Sequence, residues 1–384
     1  MELVVILLLS AVVCVPLTQL LGLGVIPGYL LAGIVIGPSG LGLVTDVPDV
    51  ASISQWGVVM MLFVIGLELE PARLWGMRRE VFGVGLFQLA ICAGVMAVLM
   101  GALRQLSHLS WAGAIVCGLS LALSSTAVAL RLLDERQLTR TPMGRTALGI
   151  LLLQDIAAIP ILVGIGILGG GGTRAPSFVW SLIAVAVVLA CARLRVISWV
   201  DRVQLRELFT AGTLLVVIGS AQLFDHAGLS AGLGGFLVGV LLARSRYRDA
   251  LEASIDPFKG LLLGLFFVSI GMAVNLDVVR AHWPFIALSV AALLVVKGGI
   301  LYGIARMAGL PRYHRLTFAI VLAQGGEFGF AIFNEALDNG ILNQVQRDVV
   351  SVVVAVSMAL VPILIKVLER VQPERVRGYT SGAP

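Results

Sequence analysis

Along the 384 residues, apolar positions come in runs of about 20 broken by short polar punctuation, not in the one-in-two alternation of half-buried strands. Runs of that length cross the hydrocarbon core of a bilayer as helices, whereas strands of a membrane barrel alternate over about 10 residues. Together with the Gly, Pro and Arg that interrupt them, the runs predict thirteen spans: about 3–21, 25–39, 52–69, 81–103, 111–133, 143–168, 177–195, 206–224, 228–245, 259–276, 282–306, 315–337 and 346–368. The expectation is an all-α polytopic membrane protein.

The spans repeat. Gly28-Tyr-Leu-Leu-Ala-Gly33 in span 2 is echoed by Gly235-Phe-Leu-Val-Gly239 in span 9, and Leu62-Phe-Val-Ile-Gly66-Leu in span 3 by Phe266-Phe-Val-Ser-Ile-Gly271-Met in span 10. Spans 5 and 12 correspond by position, and each is interrupted, the first at Ser124-Ser125-Thr126 and the second at Gln324-Gly325-Gly326-Glu327-Phe328-Gly329. Three pairs in one order, at an offset near 205, read as two six-span units joined by a linking span. Such units insert with opposite orientation, the inverted-repeat plan of secondary transporters. The partition is 1–170 for the first repeat, 171–205 for the link, 206–370 for the second repeat and 371–384 for a tail.

Composition supports this picture: 59% hydrophobic and 13% charged residues rule out a soluble domain, which carries about 25% charge. With the N-terminus outside, all but five of the 27 Lys and Arg fall on inner loops or inner helix ends. That asymmetry sets the C-terminus in the cytoplasm by the positive-inside rule, and a multi-pass protein of the cell's inner (plasma) membrane is expected. The net charge of +5 is thus topology and attraction to the lipid surface, and nucleic acid is not a partner. Cys14, Cys92, Cys117 and Cys191 all lie in apolar runs and read as small core residues. Met1-Glu2 offers no basic leader region, so the first helix is expected to be retained. His108, His226, His282 and His314 read as solvated loop residues.

Against that background one stretch stands out. Gln154-Asp155 sits mid-run in span 6, with Pro160 unable to donate to the carbonyl of Ile156. An ionised Asp at a membrane centre costs about 3 kcal/mol, so such a residue marks an ion or proton path. Asp155 supplies the titratable group, while Gln154, Ser125 and Thr126 supply neutral oxygens for a cation and the broken helices offer carbonyl ends. The hydroxyls have an alternative, bonding back to carbonyls one turn earlier. Gln324 and Glu327 sit at the second break, where the acid is expected to balance helix ends, with direct ligation of the cation as the alternative. Lys297, too deep to reach the interface, requires a partner, and Asp155 and Glu327 are the buried carboxylates on offer. Glu68 and Glu70 read as interfacial.

The runs Gly66-Leu-Glu68-Leu with Arg73-Leu-Trp75, Ala122-Leu-Ser-Ser-Thr126-Ala, Leu153-Gln-Asp-Ile-Ala-Ala-Ile-Pro160, the stretch from Ala250 to Phe267, and Gln324-Gly-Gly-Glu-Phe328 resemble the monovalent cation/proton antiporter-2 family. Within it the chain is most similar to Kef-type, glutathione-gated potassium efflux members. The resemblance implies a sodium/proton-antiporter-like fold with two crossing discontinuous helices and a homodimer. It also implies a shared proton and cation site at Asp155 beside Gln154, with Lys297 as the facing basic residue. Kef-type proteins continue after their last span into a nucleotide-binding regulatory domain. The one Gly-x-Gly-x-x-Gly match here, Gly164 to Gly169, ends an apolar span and follows no strand, and none follows the last span, so that domain is expected to be absent from this chain and no organic cofactor is expected.

The resulting expectation is a secondary antiporter exchanging K+ for protons, with Na+ as the alternative cation. A bound cation stabilises the ionised carboxylate, and protonation removes the charge that holds the cation. Alternating access would be movement of the bundle carrying spans 5, 6, 12 and 13. A cation channel is a further alternative, although no filter-like carbonyl repeat occurs. An enzyme is not expected, since the spans hold no Ser-His or His-Glu-x-x-His pattern.

Overall fold

In a computed structural model the described residues are 2–21, 24–44, 47–68, 75–104, 108–168, 205–226, 231–243 and 245–371. They form α1 (Glu2–Leu20), α2 (Val25–Ile36), α3 (Val47–Glu68), α4 (Arg79–Ala102), α5 (Trp111–Ala122), α6 (Thr126–Asp134) and α7 (Pro142–Leu168). After them come α8 (Arg206–His226), α9 (Ala231–Leu242), α10 (Arg248–Ala273), α11 (Leu276–Met307), α12 (Arg312–Leu322), α13 (Phe328–Asp338) and α14 (Gln344–Val371). Twelve of the thirteen expected spans correspond to these helices; span 7, Cys191, Glu70 and the tail lie outside the described residues. Seven of the described helices are long and apolar enough to cross a membrane alone. Spans 5 and 12 are each two short helices, α5/α6 and α12/α13, broken where the Ser-Thr and Gly-rich runs fall.

Local chemistry explains the ends. Ser110 caps α5 by accepting from Gly113 N at 2.9 Å, and Asn275 caps α11 by accepting from Asp277 N at 2.9 Å. After α13, Gly340 at φ 68 takes the left-handed turn that sends Ile341 N back to the Ala336 carbonyl. One boundary differs from expectation: α10 begins at Arg248, eleven residues before span 10, and runs on through Pro257. Leu251 and Ile255, one turn apart and fully buried, join that segment to an apolar core, which overrides its polar sequence. His314 also departs from a solvated reading, being buried in the first turn of α12 beside Tyr313.

The chain divides into two units that cut across its halves, Met1–Leu43 with Met77–Gly169 and Gly271–Pro384, and Val44–Gly76 with Gly170–Ile270. In the first, Leu133, Ile150, Leu301, Phe318, Leu322 and Val361 form a core joining α6, α7, α11, α12 and α14. In the second, Phe63, Val217, Phe224, Val238 and Leu251 join α3, α8, α9 and α10. Paired glycines set the approach of helices in each. A methyl on Gly271 would lie 3.0 Å from Gly33 Cα, and one on Gly239 would lie 2.9 Å from Gly66 Cα. These are the glycines of the sequence echoes, and the two contacts exchange when span 2 is mapped onto 9 and span 3 onto 10, as an inverted repeat requires.

Candidate functional site

Two interrupted helices cross. The break between α5 and α6 is Leu123-Ser124-Ser125, and that between α12 and α13 is Ala323 to Glu327. Ser124 Oγ donates to the Leu322 carbonyl at 2.7 Å, so it does not bond one turn back on its own helix. Gly326 presses against the Ser124 backbone so closely that a Cβ there would lie 3.1 Å from the Ser124 carbonyl. A side chain there would push the two unwound segments apart by a few tenths of an ångström.

Breaking a helix strands carbonyls at one end and N–H groups at the other, and in apolar surroundings each needs a partner. Lys297, fully buried on α11, donates to the Leu121, Leu123 and Gln324 carbonyls at 2.9, 2.6 and 2.7 Å. An ammonium has three protons, and three carbonyls from the last turn of α5 and the two breaks take them. The sequence suggested a carboxylate partner; the structure gives the lysine the negative ends of α5 and α12 instead. The Ala122 carbonyl receives both Gln88 Nε2 and Gln154 Nε2 at 3.3 Å, and Ser124 N donates to Gln154 Oε1 at 2.8 Å. Across the second break, Gly325 N donates to Ser357 Oγ at 3.0 Å.

Asp155 lies on α7, buried, at the start of α6. Thr126 Oγ1, in the first residue of that helix, reaches the two carboxylate oxygens at 3.0 and 3.2 Å. The helix start carries a positive partial charge that favours an anion there. Ser125, placed beside Thr126 by sequence, turns its hydroxyl to cap α6 by accepting from Val128 N at 3.3 Å. Gln154 sits beside Asp155 but faces the break of α5. Its oxygen is engaged by Ser124 N and its nitrogen by Gln88 and Ala122.

Gln324 donates from Nε2 to the Val321 carbonyl at 3.4 Å, while its buried Oε1 has no hydrogen-bond partner among the described residues. Glu327 is buried at the N-cap position of α13, next to that helix's positive end. The structure thus brings Thr126 to Asp155, Gln154 to the first break, and Lys297 to both breaks through the Leu123 and Gln324 carbonyls.

Two groups escaped the sequence reading. Gln88, fully buried on α4, is one polar residue in a long apolar run, and that isolation was the available signal. Arg347, one of the few cations on the outer side in the charge count, and Asp348 form a buried ion pair at 3.3 Å in α14.

The family described as "Sodium/hydrogen exchanger, transmembrane" matches over residues 5–369. Among solved structures, the sodium proton antiporter MjNhaP1 from Methanocaldococcus jannaschii at pH 8 superposes with a TM-score of 0.68 at 16% identity, covering 98% of this chain and 99% of that one. At that identity the likeness speaks for the fold.

Proposed function

We propose, from the premise that the chain belongs to the sodium/hydrogen exchanger family, that it exchanges a monovalent cation for protons by competition at Asp155. The observation that carries this is the buried carboxylate held by the Thr126 hydroxyl at the start of α6. Ionising an Asp in mid-membrane costs about 3 kcal/mol. A hydrogen bond to a charged group returns about 1.5–3 kcal/mol, and a helix start up to about 2 kcal/mol in buried geometry. Burial thus penalises the charge while the hydroxyl and the helix start favour it, both acting on one carboxylate. A cation arriving at the ionised form occupies the place a proton would take.

Asp155 with Thr126 would bind the cation directly. Gln154 would act by holding the break and Ser125 by capping α6, while Lys297 and Glu327 neutralise helix ends. Sodium is the cation the family description favours. Potassium is the second reading, supported by Gln154. A neutral amide next to Asp155 leaves a single carboxylate there, a weaker field that suits the larger, less tightly hydrated ion. The Kef-type branch rests on the motif resemblance alone. The charge distribution supports an outside N-terminus and a cytoplasmic C-terminus in the plasma membrane, and the resemblance supports a homodimer. The partition into repeats 1–170 and 206–370 rests on the sequence echoes.

The test is recovery of a quenched pH dye in proteoliposomes offered sodium, lithium, potassium and rubidium in turn. Saturable recovery with sodium and lithium is expected. Recovery with potassium and rubidium at lower concentration would move the choice to potassium, and no recovery with any of the four would end the exchange reading.

A further inference from the structure

Gln88 is 0% exposed, and both of its polar atoms are spent at the first break. Its Oε1 accepts from Gln154 Nε2 at 2.7 Å, and its own Nε2 donates to the Ala122 carbonyl at 3.3 Å. Gln154 completes the circuit by donating to the same carbonyl and accepting from Ser124 N at 2.8 Å. Two carboxamides thus clamp the last residue of α5 and the middle residue of the break. One residue past Ser125 is Thr126, whose hydroxyl holds Asp155.

The approach that lets α4 reach this point is built into its start. Arg79–Gly85 is wound as a π-helix, a wider turn that recurs at functional positions. There Glu80 sits against Gly149, where a Cβ would fall 2.6 Å from Glu80 Cβ, and Gly85 sits against Leu153, where a Cβ would fall 3.1 Å from Leu153 Cβ. The π segment therefore lies along α7, and Gln88 follows less than one turn later, at the height of Gln154.

We infer that Gln88 is a positioning residue for the exchange site: through Gln154 it fixes the spacing between the unwound Leu123–Ser125 segment and Asp155, and so sets which cation fits. It touches no transported ion. A buried amide satisfied by neighbours would serve stability only; a clamp on the binding geometry sets the ranking of cations as well. The inference rests on the antiport reading and adds to it a residue that determines selectivity.

The experiment compares the parent with Gln88→Met, Gln88→Asn and Gln88→Glu in proteoliposomes. Half-saturating sodium and potassium, maximal rate and thermal midpoint in detergent are measured for each. Gln88→Met fills the space without hydrogen bonds. It is expected to move the ratio of the two half-saturating concentrations at least about fivefold, with maximal rate held within about threefold. Gln88→Asn, one methylene too short to serve both partners, is expected to move it in the same direction. Gln88→Glu keeps an acceptor for Gln154 but lacks the amide donor to the Ala122 carbonyl and adds a carboxylate near the site, so its ratio is expected to shift toward sodium.

An unchanged ratio in Gln88→Met overturns the inference, as does a fall in rate and thermal midpoint together at constant ratio. Should Gln88→Met yield no folded protein, an unchanged ratio in Gln88→Asn overturns it equally. If the parent exchanges and the variants match it, the clamp alone is wrong. If the parent moves no protons with any cation, the antiport reading fails and takes the clamp with it.

Discussion

Replacing Lys297 with methionine removes an ammonium while keeping most of the side chain's length and volume. Three backbone carbonyls then lose their donors at once: Leu121, Leu123 and Gln324. Each hydrogen bond to a charged group contributes about 1.5–3 kcal/mol, and each orphaned buried acceptor costs about 1–3 kcal/mol. Against this, methionine no longer carries a charge that must be desolvated, and uncharged replacements of buried ions recover part of the loss. The net expectation is destabilisation by about 3–5 kcal/mol, comparable to breaking a buried ion pair. At roughly 1–2 °C per kcal/mol for a chain of 384 residues, the thermal midpoint should fall by about 5 °C. Unfolding of the purified protein in detergent, followed by tryptophan fluorescence, reads that fall. The double variant with Asp155→Asn then separates the two partners the lysine could serve. If its role is to close the helix ends, removing the carboxylate returns less than about half of the lost stability, because the three carbonyls stay bare. Near-complete restoration would show that the lysine is in place to balance Asp155, and would refute the helix-end assignment.

Thr126→Val keeps the side chain's shape but deletes the donor to Asp155. One charge-assisted hydrogen bond of about 1.5–3 kcal/mol translates to a roughly 10- to 100-fold rise in half-saturating cation, and an unchanged value would remove the hydroxyl from the site. Gly326→Ala puts a methyl 3.1 Å from the Ser124 carbonyl, where only backbone can give way. A loss of about 1–3 kcal/mol in thermal unfolding is expected, and wild-type stability would deny the close crossing. Gly239→Val would force α3 and α9 apart at Gly66, so a clear drop in the yield of folded protein is expected; an unaffected yield would argue against that contact.

Much of this arrangement was legible in the sequence because the membrane makes exceptions expensive. Hydroxyls and glycines clustered at 124–126 and 324–329 inside apolar runs have few readings other than a broken helix, and both runs do break there. Gln154-Asp155 stood out for the same reason, as did the glycines at 33, 66, 239 and 271, which turned out to be paired approaches. Partner identity was not legible. Charge alone suggested a carboxylate for Lys297, since a sequence does not display the unspent carbonyls that a helix break creates. Gln154 looked like a ligand because it adjoins Asp155, yet neighbours in an α-helix point about 100° apart, and its amide faces the break. Gln88 and the Arg347–Asp348 pair were missed because each gains meaning only from what packs against it.

The claim that everything else serves is that one carboxylate binds a cation or a proton but not both. It is tested most directly by titrating sodium, and in parallel potassium, into weakly buffered purified protein and counting the protons released. The parent chain should release protons in a saturable way, at least in the pH range where Asp155 is partly protonated, and Asp155→Asn should release none while unfolding at a similar temperature. Cation binding without proton release in the parent, or equal release from the Asn variant, would contradict competition at Asp155.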